Sequence, residues 1–316
     1  MDIYDVIIIG GGPAGLTAGI YVSRARMEAL LIESYLIPGQ ALLVERVENY
    51  PGFPEGVIGF ELIYEFKRQA KKYGLKVVDE AVENITKGGD SSSFTIWQVK
   101  TEKNIYRSLS VIVATGAQHK KLGVPGEEKF YQRGVSYCAL CDGVLFKNKD
   151  VVVVGGGDSA AEEALFLAKL AKSVTLVHRR GKLRATPILQ ERLFSCDKIK
   201  ILFNTIVLEI MGKDKVEAVS IKDVSSNSEN IISCDGIFIS IGLVPNTALV
   251  KGLVALDEEN YIITDENMKT SAEGIYACGD CRRKPLRQII TACSDGAIAA
   301  FSAWQYVEKI KSSSSL

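Results

Sequence analysis

Two cysteines three residues apart, Cys138 and Cys141, with Asp142 directly after the second, are the residues of this chain best suited to do chemistry. They lie in Ser136-Tyr137-Cys138-Ala139-Leu140-Cys141-Asp142-Gly143, and CxxC spacing lets two thiols close into a small disulfide ring and open again. One thiol of such a pair commonly has a lowered pKa. Near the free value of about 8.5 only a few per cent is thiolate at neutral pH, whereas near about 7 half of it is nucleophilic. Asp142 is the nearest ionisable group in sequence and is placed to supply or remove the proton. The chain has two histidines. His119, between Gln118 and Lys120, reads as a surface residue, which leaves cysteine-protease chemistry without a base.

The other five cysteines read as bystanders. Seven in a chain of 316 are too few and too odd in number for a disulfide scaffold and fit a reducing, cytoplasmic setting. Cys278-Gly-Asp-Cys281 is a second CxxC, and four thiolates would suit zinc. The distance between the pairs far exceeds a zinc ribbon, and Gly279-Asp280 falls inside the second pair, so no metal site is expected. Cys278, Cys281 and Cys293 are expected to pack as small apolar side chains beside a cofactor, with Cys196 and Cys234 in the core or incidental.

The cysteine pair sits between two copies of one pattern. Asp5-Val-Ile-Ile-Ile-Gly10-Gly11-Gly12-Pro13-Ala14-Gly15 returns 145 residues later as Asp150-Val-Val-Val-Val-Gly155-Gly156-Gly157-Asp158-Ser159-Ala160. Each is a continuous β-branched run, as expected of a parallel strand covered on both faces, followed by a glycine turn and helix-periodic residues, Leu16 to Arg24 and Ala161 to Leu170. A second short strand follows each, Ala29 to Ile32 and Ser173 to Val177. A lone GxGxxG is weak. Strand, turn, helix and strand in the same order twice are the context a dinucleotide site requires: glycines admit the pyrophosphate to the backbone, and the helix N-terminus stabilises its charge.

The residue ending each second strand distinguishes the nucleotides. Glu33, 23 positions after the first glycine, can accept hydrogen bonds from both hydroxyls of an adenosine ribose. The equivalent offset in the second copy holds His178-Arg179-Arg180, with Arg184 beyond, a cluster suited by charge and bidentate geometry to a 2′-phosphate and so to NADPH. Two different nucleotides suggest a resident flavin and a nicotinamide that comes and goes. Further strands end at Val111-Ile-Val-Ala114-Thr115-Gly116, Gly236 to Gly242 and Glu273 to Gly279-Asp280, and a helical run follows from Thr291 to about Lys309. The simplest organisation is nested. An α/β fold of two Rossmann-like, three-layer nucleotide-binding domains has the first at 1–117 and 246–316 and the second, carrying the CxxC, inserted at 118–245.

Composition agrees with an ordinary folded chain of two domains: 47% hydrophobic, 24% charged, 38 Lys+Arg against 38 Asp+Glu. No basic stripe suits nucleic acid. The apolar start from Val6 to Val22 follows Asp2 and Asp5 rather than basic residues and is too glycine-rich for a signal peptide or membrane span.

Together these residues resemble the low-molecular-weight thioredoxin reductases of bacteria and archaea, among the class II pyridine nucleotide-disulfide oxidoreductases, over essentially the full length. The segments that carry the resemblance are Gly10 to Gly15, Gly39-Gln40, Val47-Glu-Asn49-Tyr-Pro-Gly52, Ala114-Thr115-Gly116, Cys138 to Asp142, Gly155 to Ala160, His178 to Arg180 with Arg184, Gly279-Asp280 and Arg287-Gln288. The resemblance implies a homodimeric flavoprotein that passes a hydride from NADPH to tightly bound FAD and two electrons onward to thioredoxin. In it, Cys141 would face the flavin, Cys138 would attack the partner's disulfide and Asp142 would be the acid/base. It also implies FAD contacts from Gly10, Gly12, Pro13, Ala14, Gly15, Glu33, Gly39, Gln40, Asn49, Ala114, Thr115, Gly116, Gly279, Asp280, Arg287, Gln288 and Ile289. NADPH contacts would come from Gly155 to Ala160, His178, Arg179, Arg180 and Arg184. A rotation of the inserted domain would let nicotinamide and disulfide alternate at the flavin.

Pro38 stands where the family often has glycine, and Ala41 to Glu45 lacks its usual threonines. The arginine cluster argues against relatives that draw electrons from ferredoxin. The length, without an extra N-terminal module, argues against the peroxiredoxin-reductase relative, and a wider cysteine pair would mark glutathione-reductase-like enzymes. The competing activities are an NAD(P)H oxidase, a reductase of another dithiol protein, and a redox sensor whose CxxC only toggles conformation.

Overall fold

In the computed structural model, which describes residues 3–34, 39–43, 47, 49–90 and 94–313, the β-branched run after Tyr4 becomes β1 (Ile3–Ile9). Pro38, Val44, Glu45, Glu48, Ser314 and Ser315 lie outside the described residues. Gly12 caps α1 (Pro13–Arg24) without a side-chain hydrogen bond, and Pro13 sits in the first turn, where a missing N–H costs nothing. The chain continues through β2 (Ala29–Glu33), α2 (Gly59–Lys72), β3 (Lys76–Asp79), β4 (Val82–Asp90), β5 (Thr95–Thr101) and β6 (Ile105–Val113). After β7 (Ala117–His119) come β8 (Val135–Ser136) and the single turn α3 (Ala139–Asp142). The second repeat follows as β9 (Asp150–Gly155), α4 (Asp158–Leu170) and β10 (Ser173–Val177). Then come α5 (Pro187–Phe194), β11 (Ile199–Leu202), β12 (Thr205–Met211), β13 (Ala218–Asp223), β14 (Glu229–Ser233) and β15 (Gly236–Ser240). The chain ends with β16 (Leu243–Pro245), β17 (Ile275–Ala277) and α6 (Ile289–Ser313).

These elements form two compact units, residues 1–118 with 244–316 and residues 119–243. In the first, the sheet order is β3-β2-β1-β6-β5-β4, with β17 also paired to β6. The centre is parallel, Val6 to Ile9 lying beside Ala29 to Ile32 of β2 and Ile7 to Ile9 beside Val111 to Val113 of β6, and β5 and β4 are antiparallel. In the second, β11-β10-β9-β15-β8 is entirely parallel, and β12-β13-β14 forms a separate antiparallel sheet with a register shift between Val207 and Glu209.

Alternation along the central strands explains the layers, because successive side chains point to opposite faces. Val6 and Ile8 join the cluster with Leu16 of α1 and Ala299 of α6, while Ile7 and Ile9 join Trp97, Val99 and Ile85 of the antiparallel strands. The repeat does the same: Val151 and Val153 pack with Ala164 and Leu167 of α4, and Val152 and Val154 with Val219 and Ile221 of β13. The expected α/β layering is present, but in each unit antiparallel strands rather than helices supply the layer opposite the repeat's helix. Each crossing is tied inside its own unit. Asn246 N donates to Gly116 O (3.0 Å) and Thr115 Oγ1 to Asn246 O (2.6 Å) in the first, and Lys120 N donates to Gly242 O (3.0 Å) in the second.

Candidate active site

Cys138 and Cys141 are joined as a disulfide, with Cα atoms 5.3 Å apart. Extended backbone at Cys138 makes it the N-cap of α3, and its Sγ accepts from the Cys141 amide at 3.2 Å. Ser136, at the end of β8, organises the other side. Its hydroxyl donates to Asp142 Oδ2 at 2.6 Å and accepts from the Cys138 amide at 3.1 Å. One serine thereby fixes the carboxylate and the ring backbone together, holding a carboxylate beside the disulfide.

Before the ring, Tyr137 donates to Glu127 Oε1 at 2.7 Å, and the buried Glu127 carboxylate also accepts from the Leu122 and Gly123 amides. His119 is not a free surface side chain. It is half-buried, its ring stacks on Tyr137 with centroids 5.3 Å apart, and burial pushes its pKa down so that it is neutral at pH 7. Tyr131 packs on Tyr137 (5.7 Å), and burial together with the Asp142 charge pushes its phenol up.

The same unit holds the second glycine turn. A Cβ on Gly155 would stand 2.3 Å from Ser240 O, and one on Gly156 would stand 2.1 Å from His178 Nδ1, whereas the space at Gly157 is open. Gly157 caps α4 with no side chain, which leaves the first amides of the helix free for an anion. His178 is buried and donates from Nε2 to Lys182 O (2.9 Å). Burial, with the neighbouring Arg184 and Arg180 charges, pushes its pKa down. Arg179, Arg180 and Arg184 are exposed. Asp158 accepts from the Thr186 amide (2.6 Å), and the Arg184 amide bonds Gly156 O (2.6 Å), which holds the arginine segment against the turn.

The first unit repeats this cradle. A Cβ on Gly10 (φ +112°) would stand 2.3 Å from Ala114 O, one on Gly11 would stand 2.0 Å from Glu33 Oε2, and Gly12 opens on free space. Glu33 pairs with Lys67 of α2. Around the turn at Gly279 (φ +76°), Asp295 of α6 accepts from the Gly279 amide (3.1 Å) and from Lys284 Nζ (2.7 Å). Asp280 Oδ1 and Arg287 Nε are buried with no hydrogen-bond partner among the described residues. Burial pushes the Asp280 carboxyl up, against the opposing charges of Lys284 and Arg287. Buried polar atoms left unpaired are costly, so these two fit a site completed by a polar ligand. Asn49 Nδ2 donates to Gln288 Oε1 (3.1 Å), and Gln40 Nε2 donates to Ala117 O.

The remaining thiols do not resemble the working pair. Burial pushes Cys278 well up, Cys281 to about 11 and Cys234 to about 12, and Cys293 also rises. Cys281 Sγ donates to Cys278 O and Val113 O at 3.3 and 3.5 Å. These are packed, protonated thiols.

The structure thus gathers Cys138, Cys141 and Asp142 with the second glycine turn in one unit. In the other it gathers the first glycine turn, Glu33, Asp280 and Arg287. Sequence reasoning missed Ser136, Lys67, Lys284 and Asp295 as supports. Ser136 carried a signal, standing two residues before Cys138. The partners of Lys67 and Asp295 lie 34 and 16 residues away, and no local pattern joins them.

The family model for the pyridine nucleotide-disulphide oxidoreductases matches residues 4–296. The thioredoxin reductase of Treponema pallidum is 45% identical over 308 residues, covering 98% of this chain and 98% of that protein. That of Bacillus subtilis is 47% identical over 310 residues, covering 98% and 96%. The crystal structure of thioredoxin reductase from Streptococcus pyogenes superposes with a TM-score of 0.84 at 44% identity, covering 97% of this chain and 99% of that one.

Proposed function

The chain belongs to the pyridine nucleotide-disulphide oxidoreductase family, and from that premise we propose that it is a thioredoxin-disulfide reductase that uses NADPH and FAD. The observation that carries the reading is the Cys138–Cys141 disulfide with Asp142 anchored beside it, in the same unit as a glycine cradle flanked by arginines. Its relatives named thioredoxin reductase, matched over nearly their whole length, support thioredoxin as the partner.

The first cradle suits FAD, with Glu33 for the ribose hydroxyls, the free amides of α1 for the pyrophosphate, and Asp280 and Arg287 for further polar groups. The second suits NADPH, with Arg179, Arg180 and Arg184 for the 2′-phosphate. Bound FAD supplies two-electron relay between a nicotinamide and a disulfide.

The protein's own residues do the rest. With the pair reduced, the Cys138 thiolate attacks one sulfur of the oxidised partner and the partner's second sulfur leaves as a thiolate. The Cys141 thiolate then attacks Cys138 in the mixed disulfide, which re-forms the Cys138–Cys141 bond and releases the partner as a dithiol. Asp142, hydrogen-bonded by Ser136, delivers a proton to the departing thiolate and accepts one from the thiol that must ionise.

A homodimer fits this reading, since Phe60 and Tyr64 stack on the exposed side of α2 and offer an apolar face for a second copy. No helix among the described residues is long and apolar enough to cross a membrane, and a cytoplasmic location fits the five free thiols.

The test is reduction of an oxidised thioredoxin by NADPH with the flavin-loaded enzyme. Turnover is expected in the wild type and loss to background in Cys138→Ser. A wild type that consumes oxygen at the same rate without thioredoxin, unaffected by Cys138→Ser, would refute the reading in favour of an NAD(P)H oxidase.

A further inference from the structure

The turn that carries the cysteine pair rests on α4. Ala139 is completely buried, and a Cβ on Gly143 would meet Phe166 at 3.0 Å and Leu167 at 3.2 Å. Two consecutive glutamates lie on this helix. Glu162 is exposed, whereas the next residue, rotated about 100° round the helix, is drawn in from solvent. Glu163 Oε2 is fully buried and has no hydrogen-bond partner among the described residues. The carboxyl group faces the amide of Ala139, the first residue inside the disulfide ring, and the hydroxyl of Ser240 at the end of β15. A half-satisfied carboxyl group in such a position costs stability.

We propose that Glu163 is a positioning residue for the cysteine pair: engaged with the Ala139 amide inside the ring, its charge sets how readily Cys138 ionises once the disulfide is open. The inference rests on Cys138 being the attacking thiol. Burial, aided by Glu162 and opposed by the Ala139 and Ser240 hydrogen bonds, pushes the Glu163 pKa up to about 7. Glu162 on the same helix is the charged group that bears on it. α3 brings Asp142 three residues beyond Ala139, β15 brings the Ser240 hydroxyl, and β9, β10, α5 and the turn at Phe146 meet α4 through Val153, Leu176, Leu189 and Phe146.

Below about pH 7 Glu163 is neutral, whereas above it a carboxylate anion occupies the Ala139 amide and opposes a second negative charge on Cys138. The two groups titrate as a coupled pair, so the Cys138 thiolate fraction rises with pH less steeply than for an isolated thiol.

The experiment is the pH dependence of Cys138 alkylation by iodoacetamide in the flavin-loaded enzyme reduced with dithiothreitol, read by mass spectrometry of the Cys138 peptide. Glu163→Gln is expected to shift the midpoint down by about one pKa unit, which is about tenfold faster labelling near neutrality, and to restore an ordinary single-site slope. Glu163→Asp should keep the shallow profile. Equal thermal unfolding midpoints would show that folding is not the cause. An unchanged midpoint and slope in a folded Glu163→Gln overturns the inference. If that variant does not fold, Ser240→Ala decides. Removing one donor should raise the Glu163 pKa and move the shallow region to higher pH, and no movement overturns it. The assay contains neither NADPH nor thioredoxin, so failure of the wild type to reduce thioredoxin would count against the proposed function alone.

Discussion

The two glycine cradles are nearly the same object built twice; the first glycine is left-handed in one (Gly10, φ +112°) and not in the other, and the difference in side chains lies beneath the second glycine. In both, the first glycine presses on a carbonyl of the neighbouring strand, Ala114 or Ser240, and the third opens on free space at an uncapped helix N-terminus. Under Gly11 lies Glu33, an acid paired with Lys67, and under Gly156 lies His178, a buried neutral ring tied to Lys182 O. The backbone therefore supplies a generic pyrophosphate site, and the side chains at the end of the second strand supply selectivity. On the proposed function, the strand-end residue itself is the recognising group in the first cradle. In the second it packs inward as a spacer, and the same reading assigns the ligand to the exposed Arg179, Arg180 and Arg184.

The hardest test of this equivalence is a matched pair of alanines. Gly10→Ala and Gly155→Ala each bring a methyl group to 2.3 Å from a carbonyl oxygen. Gly10→Ala should abolish FAD retention, measured by the absorbance ratio at 450 and 280 nm. Gly155→Ala should leave FAD in place and abolish NADPH-dependent flavin bleaching while dithionite still bleaches. Loss of FAD in both would break the comparison. A smaller effect separates strand end from spacer. Arg179→Ala with Arg180→Ala should raise KM for NADPH by about 10² or more, at about 1.5 kcal/mol for each charge-assisted bond, with NADH use nearly unchanged. Equal losses with both nucleotides would remove the 2′-phosphate assignment. Smallest is Glu33→Gln, expected to weaken FAD binding by about tenfold in equilibrium dialysis, because one neutral acceptor remains for the ribose. No change would place recognition elsewhere in the first cradle.

The paired strands and helices of the repeat were legible because a continuous β-branched run followed by glycines has few structural solutions. Ala29–Glu33 and Ser173–Val177 fall at their expected places. The antiparallel layers were not. Glu229–Ser233 is almost wholly exposed and shows no alternation, with Ile231 at 65%, and β12 loses its period at the register shift between Val207 and Glu209. At the site, the cysteine pair and both turns were visible as motifs. The His178-Arg179-Arg180 run read as one basic cluster, yet the chain turns its first member inward and leaves the others out. His119 read as polar loop because its partner, Tyr137, is distant in sequence. Glu163 has the same residue type as its neighbour Glu162, and only the packing of α3 on α4 distinguishes the two.

The ties at the two crossings carry a further meaning. Because Lys120 and Gly242 are bonded to each other, the inserted unit begins and ends at one spot, and because Gly116 and Asn246 are bonded, the host unit is interrupted at one spot as well. To the host, the whole insert occupies the place of a short surface loop, the kind of position at which chains accept foreign domains without loss of their own core. The inserted segment is therefore a cassette with adjacent ends, and a deletion from Lys120 to Gly242 would ask the host to close only a short gap.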